Sequence, residues 1–191
     1  MEHRLFIAID LPGEIKDATR QALQADQKDH PELYEDARMM DEASWHITLS
    51  FLGNQSEIET IEQAIEHVAH QKEAPEITMQ LLTTAPPQRP PRMVWITTSA
   101  ETNKALGALK AAIEQQLAQN NIHPQEEHRP RYTGHITLAR LPEGRRVAEH
   151  VVSFPHALSF RPKTIDLMES RLERTGAEYT LLKSIDFKPS V

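Results

Sequence analysis

The chain contains no cysteine. Disulfides, thiolate nucleophiles and thiolate metal sites are thereby excluded, and the composition suits a reducing compartment. Glycine is scarce, six in 191 residues, which leaves little material for a dinucleotide cradle. Phosphate-loop, Gly-x-Ser-x-Gly and His-Glu-x-x-His patterns are all missing from the sequence. No apolar run approaches the roughly 20 residues of a membrane span. Residues Met1 to Phe6 lack the apolar core and cleavage pattern of a signal peptide. The expectation is a cytoplasmic protein with no membrane partner. Positive charge is also in deficit, with a net charge of −7, which argues against broad, nonspecific nucleic-acid binding.

What is present is ordinary for a globular protein: 39% hydrophobic and 26% charged residues. The length suits one domain, or two small lobes sharing a core. Charge is uneven along it. Residues 1–88 hold 6 Lys/Arg against 17 Asp/Glu, a balance of −11, and the remainder carries +4. Several of the later arginines, including Arg129, Arg131 and Arg140, flank one short motif. Most read as solvated surface, but a small anionic ligand held locally is compatible with an acidic whole.

That motif is His135-Ile136-Thr137-Leu138, and it repeats His46-Ile47-Thr48-Leu49 at an offset of 89 residues (135 − 46). An identical tetrapeptide arises by chance in about one chain in ten of this length, so the flanks must extend the match. They do: at the same offset Phe6-Ile7-Ala8-Ile9 falls on Trp95-Ile96-Thr97-Thr98, and Met79 falls on Met168. The chain reads as two copies of one unit, about 1–85 and 92–191. They are joined by a proline-rich stretch at about 85–91, within a single domain spanning 1–191.

Periodicity supplies the elements. Strands are expected at 4–10, 45–52, 77–84, 93–98 and 132–141, with a short one near 38–40. Pro12 opens a helix to about 28 with Ile15, Ala18, Ala22 and Ala25 roughly on one face. Ser56 and Glu59 suggest a capping box before a helix striped by Ile58, Ile61, Ile65 and Val68. Leu106, Leu109, Ile113 and Leu117 form the best stripe. Val147 and Val151 suggest a shorter helix ended by Pro155, and 165–172 with 178–187 a closing hairpin. Interleaved strands and helices together with paired hairpins point to an α+β fold with antiparallel or mixed sheets.

Alternation puts His46, Thr48 and Ser50 on one strand face, and His135, Thr137 and Ala139 on the equivalent face of the second copy. Of the ten histidines, His67 and His70 at i, i+3 suit a solvated helix face, and His123 and His128 lie in a loop. His46 and His135 stand apart through the repeat. One reading is that both are satisfied by local hydrogen bonds. The other is functional and needs no metal. With a reference pKa of about 6.5, imidazole serves as acid or base near neutrality. Two of them flanking a phosphodiester activate water and protonate the departing oxygen, while Thr48 and Thr137 hold phosphate oxygens.

The doubled motif resembles the His-x-Thr-x signature of the 2H phosphoesterases, and within them the bacterial RNA 2′,3′-cyclic phosphodiesterases of the 2′-5′ RNA ligase family. The similarity extends to Arg4-Leu5-Phe6-Ile7-Ala8-Ile9, Trp45 through Gly53, Pro90 through Trp95, Tyr132 through Arg140, Leu167 through Ser170 and Gly176 through Tyr179. Gly134 departs from it, since proline usually precedes the second histidine. The resemblance implies a bilobal α+β fold with an internal pseudo-twofold repeat. Two antiparallel or mixed sheets would flank a central cleft, with helices on the outer faces. It implies hydrolysis of an RNA 2′,3′-cyclic phosphate end to a 2′-phosphate by a monomer, without metal or other cofactor. His46 would be the proton donor and His135 the proton acceptor, with Thr48, Thr137 and Arg140 on the phosphate. Simple alternation turns Arg140 away from the histidine face, so its contact requires twist or a bulge. Phe51, Trp45 and Tyr132 are candidates to stack a base. Joining of 2′-5′ ends, hydrolysis of a small cyclic nucleotide, and an RNA-end-binding module without turnover are the alternatives.

Overall fold

The computed structural model describes residues 2–87, 90–125, 131–144, 150–173 and 176–189. The first half runs β1 (His3–Asp10), α1 (Gly13–Asp29), α2 (Pro31–Tyr34), β2 (Arg38–Met39), β3 (His46–Gln55), α3 (Ile58–Ala69) and β4 (Ile77–Ala85). The second runs β5 (Met93–Thr98), α4 (Ala100–Ala118), β6 (His135–Arg140), β7 (Val151–Phe160), β8 (Thr164–Glu173) and β9 (Gly176–Asp186). A short 3-10 turn at Glu42–Ser44, capped by the Asp41 carboxylate on Ala43 N–H, aims the chain into β3.

The strands form two sheets, ordered β3-β1-β8-β9 and β2-β6-β5-β4-β7, and every strand pair is antiparallel. The fold is α+β, as the interleaved pattern predicts. Each sheet takes two strands from the other half of the chain, β8 and β9 in the first and β2 and β4 in the second. β8 lies beside β1, and β4 lies beside β5. Met79 and Met168, matched by the repeat offset, sit on these two exchanged strands. The proline-rich stretch therefore closes a hairpin, in which Ala85 pairs with Met93. Residues 88 and 89 lie outside the described residues.

The core fills the space between sheets and helices. α3 packs on α4 and against β8 and β9, α4 also covers β3, and α1 packs on β7. Leu106, Leu109, Ile113 and Leu117 are buried as their spacing predicts, with Ile61, Ile65 and Val68 of α3. Burying such side chains contributes roughly 1.5–3 kcal/mol each.

Three local expectations are corrected. The buried row of α1 is Ile15, Thr19, Leu23 and Asp26, not the alanines. That row holds the true 3–4 spacing, and a charged residue is tolerated in it because partners await Asp26 in the fold. The capping box does not form: Glu57 is the N-cap without a side-chain cap, and Ser56 Oγ donates to Glu57 instead. Val151 opens strand β7 rather than lying within a helix, and Val147 lies outside the described residues. Pro155 sits inside β7, an edge strand whose pairing with β4 shifts between Met79–Leu158 and Leu81–Ser153. Proline is accommodated there because an edge strand has a side with no ladder to break.

Candidate active site

β3 carries the first histidine. It pairs with β1 so that Asp10 faces His46, Ala8 faces Thr48, Ile7 faces Ser50 and Phe6 faces Phe51. Leu49 has no partner in this ladder. It is a bulge residue, and the bulge changes which side chains share a face. His46 and Thr48 stay half-buried on the cleft side with Phe6. Ser50 instead turns into the interior and donates to Glu114 of α4 at 2.6 Å. Phe51 comes round to the cleft face, where the Arg4 guanidinium lies 4.6 Å from its ring centre. A second irregularity at Leu52 follows, and Gly53 there has φ +72°, a left-handed conformation that favours glycine.

β6 repeats the arrangement against β5. His135 faces Thr97, Thr137 faces Trp95, Ala139 faces Val94 and Arg140 faces Met93, which leaves Leu138 as the bulge residue. Leu138 is the 89-residue equivalent of Leu49. Leu138 and Ala139 are consequently both buried, and Arg140 emerges exposed on the same face as His135 and Thr137. The bulge that alternation could not supply is present in both copies. Phe51 and Arg140 are its equivalent products.

Both imidazoles are held by the same local device. His46 Nδ1 lies 2.7 Å from the Ser44 carbonyl and His135 Nδ1 lies 2.9 Å from the Thr133 carbonyl. A carbonyl only accepts, so in each ring Nδ1 carries the proton and Nε2 is the lone-pair nitrogen of the neutral form. Local hydrogen bonding at Nδ1 thus orients both histidines. Each ring also rests on an aromatic from the neighbouring strand. Phe6 lies 5.0 Å from His46, and Trp95 stacks on His135 at 3.8 Å with a 22° interplanar angle. Tyr179 meets His46 edge-on at 5.1 Å. Since β9 and β3 are the two edges of their sheet, that contact means the sheet curls enough for side chains of its two edges to meet.

β3 and β6 pack against each other, and the Tyr132 hydroxyl donates to the Thr48 carbonyl at 2.7 Å. The loop entering one motif is thereby tied to the backbone of the other. The imidazoles are near enough for the charge of His135 to act on His46. Burial above all pushes the His46 pKa down to about 4, with the Ser44 carbonyl and Asp10 opposing the shift and His135 adding to it. Asp10 is itself paired with Lys16 at 2.8 Å. At neutral pH His46 is a neutral imidazole and an acceptor at Nε2.

Gly134 is explained by its surroundings. Its N–H donates to Asn103 Oδ1 at 2.6 Å, and a Cβ there would lie 2.6 Å from Thr98 Oγ1. A proline at this position would remove the donor and collide. Of the proposed base-stacking residues, Trp45 is 2% exposed and belongs to the core. Tyr132 packs partly against the core and spends its hydroxyl on Thr48. Phe51 faces the cleft. Asp10, Trp95, Phe6 and Tyr179 were not picked out as site residues from the sequence alone. For Phe6 and Trp95 the signal was available, because the repeat offset places them at equivalent positions.

The chain matches the 2′-5′ RNA ligase superfamily over residues 13–174. No curated protein sequence matches it. Solved structures do. TT0787 of Thermus thermophilus is 27% identical, with a TM-score of 0.73 over 97% of this chain and 98% of that one. E. coli LigT in complex with 3′-AMP is 28% identical, with a TM-score of 0.72 over 99% of this chain and all of LigT (100%). LigT has also been solved with ATP. A further neighbour described only as a phosphoesterase is 27% identical with a TM-score of 0.72. By motif, topology and extent of match, this chain belongs to the 2′-5′ RNA ligase superfamily.

Proposed function

We propose that the protein hydrolyses RNA ends bearing a 2′,3′-cyclic phosphate to 2′-phosphomonoesters, by metal-independent acid–base catalysis in the cytoplasm, acting as a monomer. The observation that carries this reading is the pair of equivalently oriented imidazoles, each with Nδ1 donated to a backbone carbonyl two residues back. The phosphate would sit between them. His46 protonates the departing 3′ oxygen and His135 takes a proton from the attacking water, and each transfer contributes roughly a hundred- to ten-thousand-fold. Thr48 and Thr137 donate to non-bridging oxygens, and Arg140 adds a cation as charge develops. A cavity of about 620 Å³ lined in part by Arg4, Asn54, His123 and Gln125 adjoins Phe51 through Arg4 and offers room for the nucleotide preceding the reacting end. LigT's complexes with 3′-AMP and ATP support a nucleotide ligand.

One observation favours a second reading with the same substrate and the two histidines exchanged. The depressed pKa of His46, about 4, leaves it unprotonated near neutral pH in the free protein, the form in which an imidazole starts as acceptor and not as donor. Replacing the 3′ bridging oxygen by sulfur separates the two, because a thiolate leaves without protonation. If His46 is the acid, His46→Ala recovers most of its lost rate on the sulfur substrate and His135→Ala does not. If the roles are exchanged, the recovery is exchanged.

On the oxygen substrate, His46→Ala and His135→Ala are each expected to lose at least a hundredfold in kcat, with wild-type turnover unchanged by chelator. A fully active variant of either kind removes the acid–base mechanism. Tight binding of the cyclic end without turnover by the wild type would make the protein an RNA-end-binding module. Joining of 2′-5′ ends, or preference for a mononucleotide cyclic phosphate, would be read directly from the products.

A further inference from the structure

Well away from the cleft, the C-terminal end of α1 collects three metal-ligating side chains. Asp26 lies in the buried row of α1, and His30 follows four residues later, on the same side of the helix end. His150 arrives from the start of β7, its backbone pinned to Thr84 by two hydrogen bonds of 3.1 and 3.3 Å. β7 is three strand spacings from β6 in the sheet order, about 14 Å. His150 Nε2 lies 2.8 and 3.1 Å from the two Asp26 carboxylate oxygens. The His30 and His150 rings meet edge to face at 4.5 Å. One ligating atom from each of the three falls within 4.8 Å of the others.

We propose that Asp26, His30 and His150 bind a zinc-class divalent cation that fastens the α1–α2 corner to β7. Two imidazoles and one carboxylate are the donor set of zinc, cobalt and nickel rather than of magnesium or calcium. Bond lengths of about 2.0–2.2 Å bring such donors to roughly 3.3 Å separations. Closing from the observed spacing of at most 4.8 Å needs up to about 1.5 Å of movement, and His30, with its side chain 43% exposed, has the freedom to make it. The proton that His150 Nε2 donates to the carboxylate leaves that nitrogen, with Nδ1 carrying the ring proton in the bound form, and the direct hydrogen bond is replaced by one bond from each atom to the metal. The outer shell is already in place. Tyr34 Oη donates to Asp26 Oδ2 at 2.5 Å, which fixes the carboxylate as metal sites commonly require. The exposed His30 side chain opens the site to solvent, and Tyr34 also lines a neighbouring cavity of about 540 Å³ with Gln27, Pro31 and Glu32.

The plain alternative is that Asp26, His150 and Tyr34 form only a buried hydrogen-bond network. His30→Gln separates the two, because it leaves all three members of that network intact. The full-length chain is stripped with chelator, dialysed at pH 7.5 and titrated with zinc chloride or cobalt chloride alone. At a hundredfold excess over the dissociation constant, the wild-type melting temperature is expected to rise by about 5 °C, and cobalt to show the visible bands of four-coordinate N/O ligation. His30→Gln is expected to fold and to show neither. An absent wild-type response overturns the proposal, and so does an equal response from His30→Gln, which would place the metal on histidines elsewhere. Turnover of a cyclic phosphate is not a readout of this site.

Discussion

His46 illustrates how one side chain links burial, charge and stability. Its pKa in the folded chain is depressed to about 4, with burial the largest cause. In the unfolded chain an ordinary histidine titrates near 6.5. Between those values the unfolded state binds the additional proton, so stability rises with pH across that window and is fully present above about 6.5. It is lost as the pH falls through 6.5 toward 4. Allowing for partial exposure, the contribution is about 2 kcal/mol. Urea unfolding at pH 4.5 and pH 7.5 should show a larger acid-side loss for the wild type than for His46→Gln. Equal losses would mean that His46 is not held neutral by its site. Sequence alone singles out this histidine through the repeat. Its environment depends on Asp10, Phe6 and Tyr179, of which Tyr179 comes from the far edge of the sheet.

At the level of single strands, the bulges at Leu49 and Leu138 decide what each motif displays. Strict alternation misplaces Ser50, Phe51 and Arg140, because a bulge is a property of the pairing between two strands and not of either strand's pattern. The approach to β6 is equally specified by its neighbours. Gly134 has no room for a side chain beside Thr98 Oγ1 and donates its N–H to Asn103. Gly134→Ala is therefore expected to destabilise the fold by about 1–3 kcal/mol, and Gly134→Pro by more, since it also removes one of the two hydrogen bonds that Asn103 Oδ1 accepts, the other coming from Thr98 Oγ1. Chemical denaturation of both variants tests this. If alanine costs nothing, Thr98 moves freely and the glycine is incidental.

Across the whole molecule, the two motifs are brought together because β3 and β6 pack on each other and Tyr132 clamps the Thr48 carbonyl. Tyr132→Phe removes that single hydrogen bond while keeping the ring. The expected outcome is a loss of about 1 kcal/mol in stability, with turnover of a cyclic-phosphate end reduced by roughly tenfold or more through misplaced catalytic groups. Unchanged turnover would show that packing alone sets the geometry of the cleft. The exchange of β2 and β4 against β8 and β9 between sheets serves the same end: neither half of the chain builds a complete sheet, so the halves cannot separate as independent lobes.

Most element types and the exact internal match of the doubled motif were legible in the amino-acid order, because periodicity and a repeated tetrapeptide are local properties. The burial of Asp26, the strand role of Val151 and the facing of Arg140 were not legible. Each is settled by a partner distant in the chain: His150 for Asp26, β4 for Val151 and β5 for Arg140. Pattern and propensity prescribe what a segment tends to become. Which neighbour it meets, and therefore which side chains face the cleft, is decided only when the long-range pairings close.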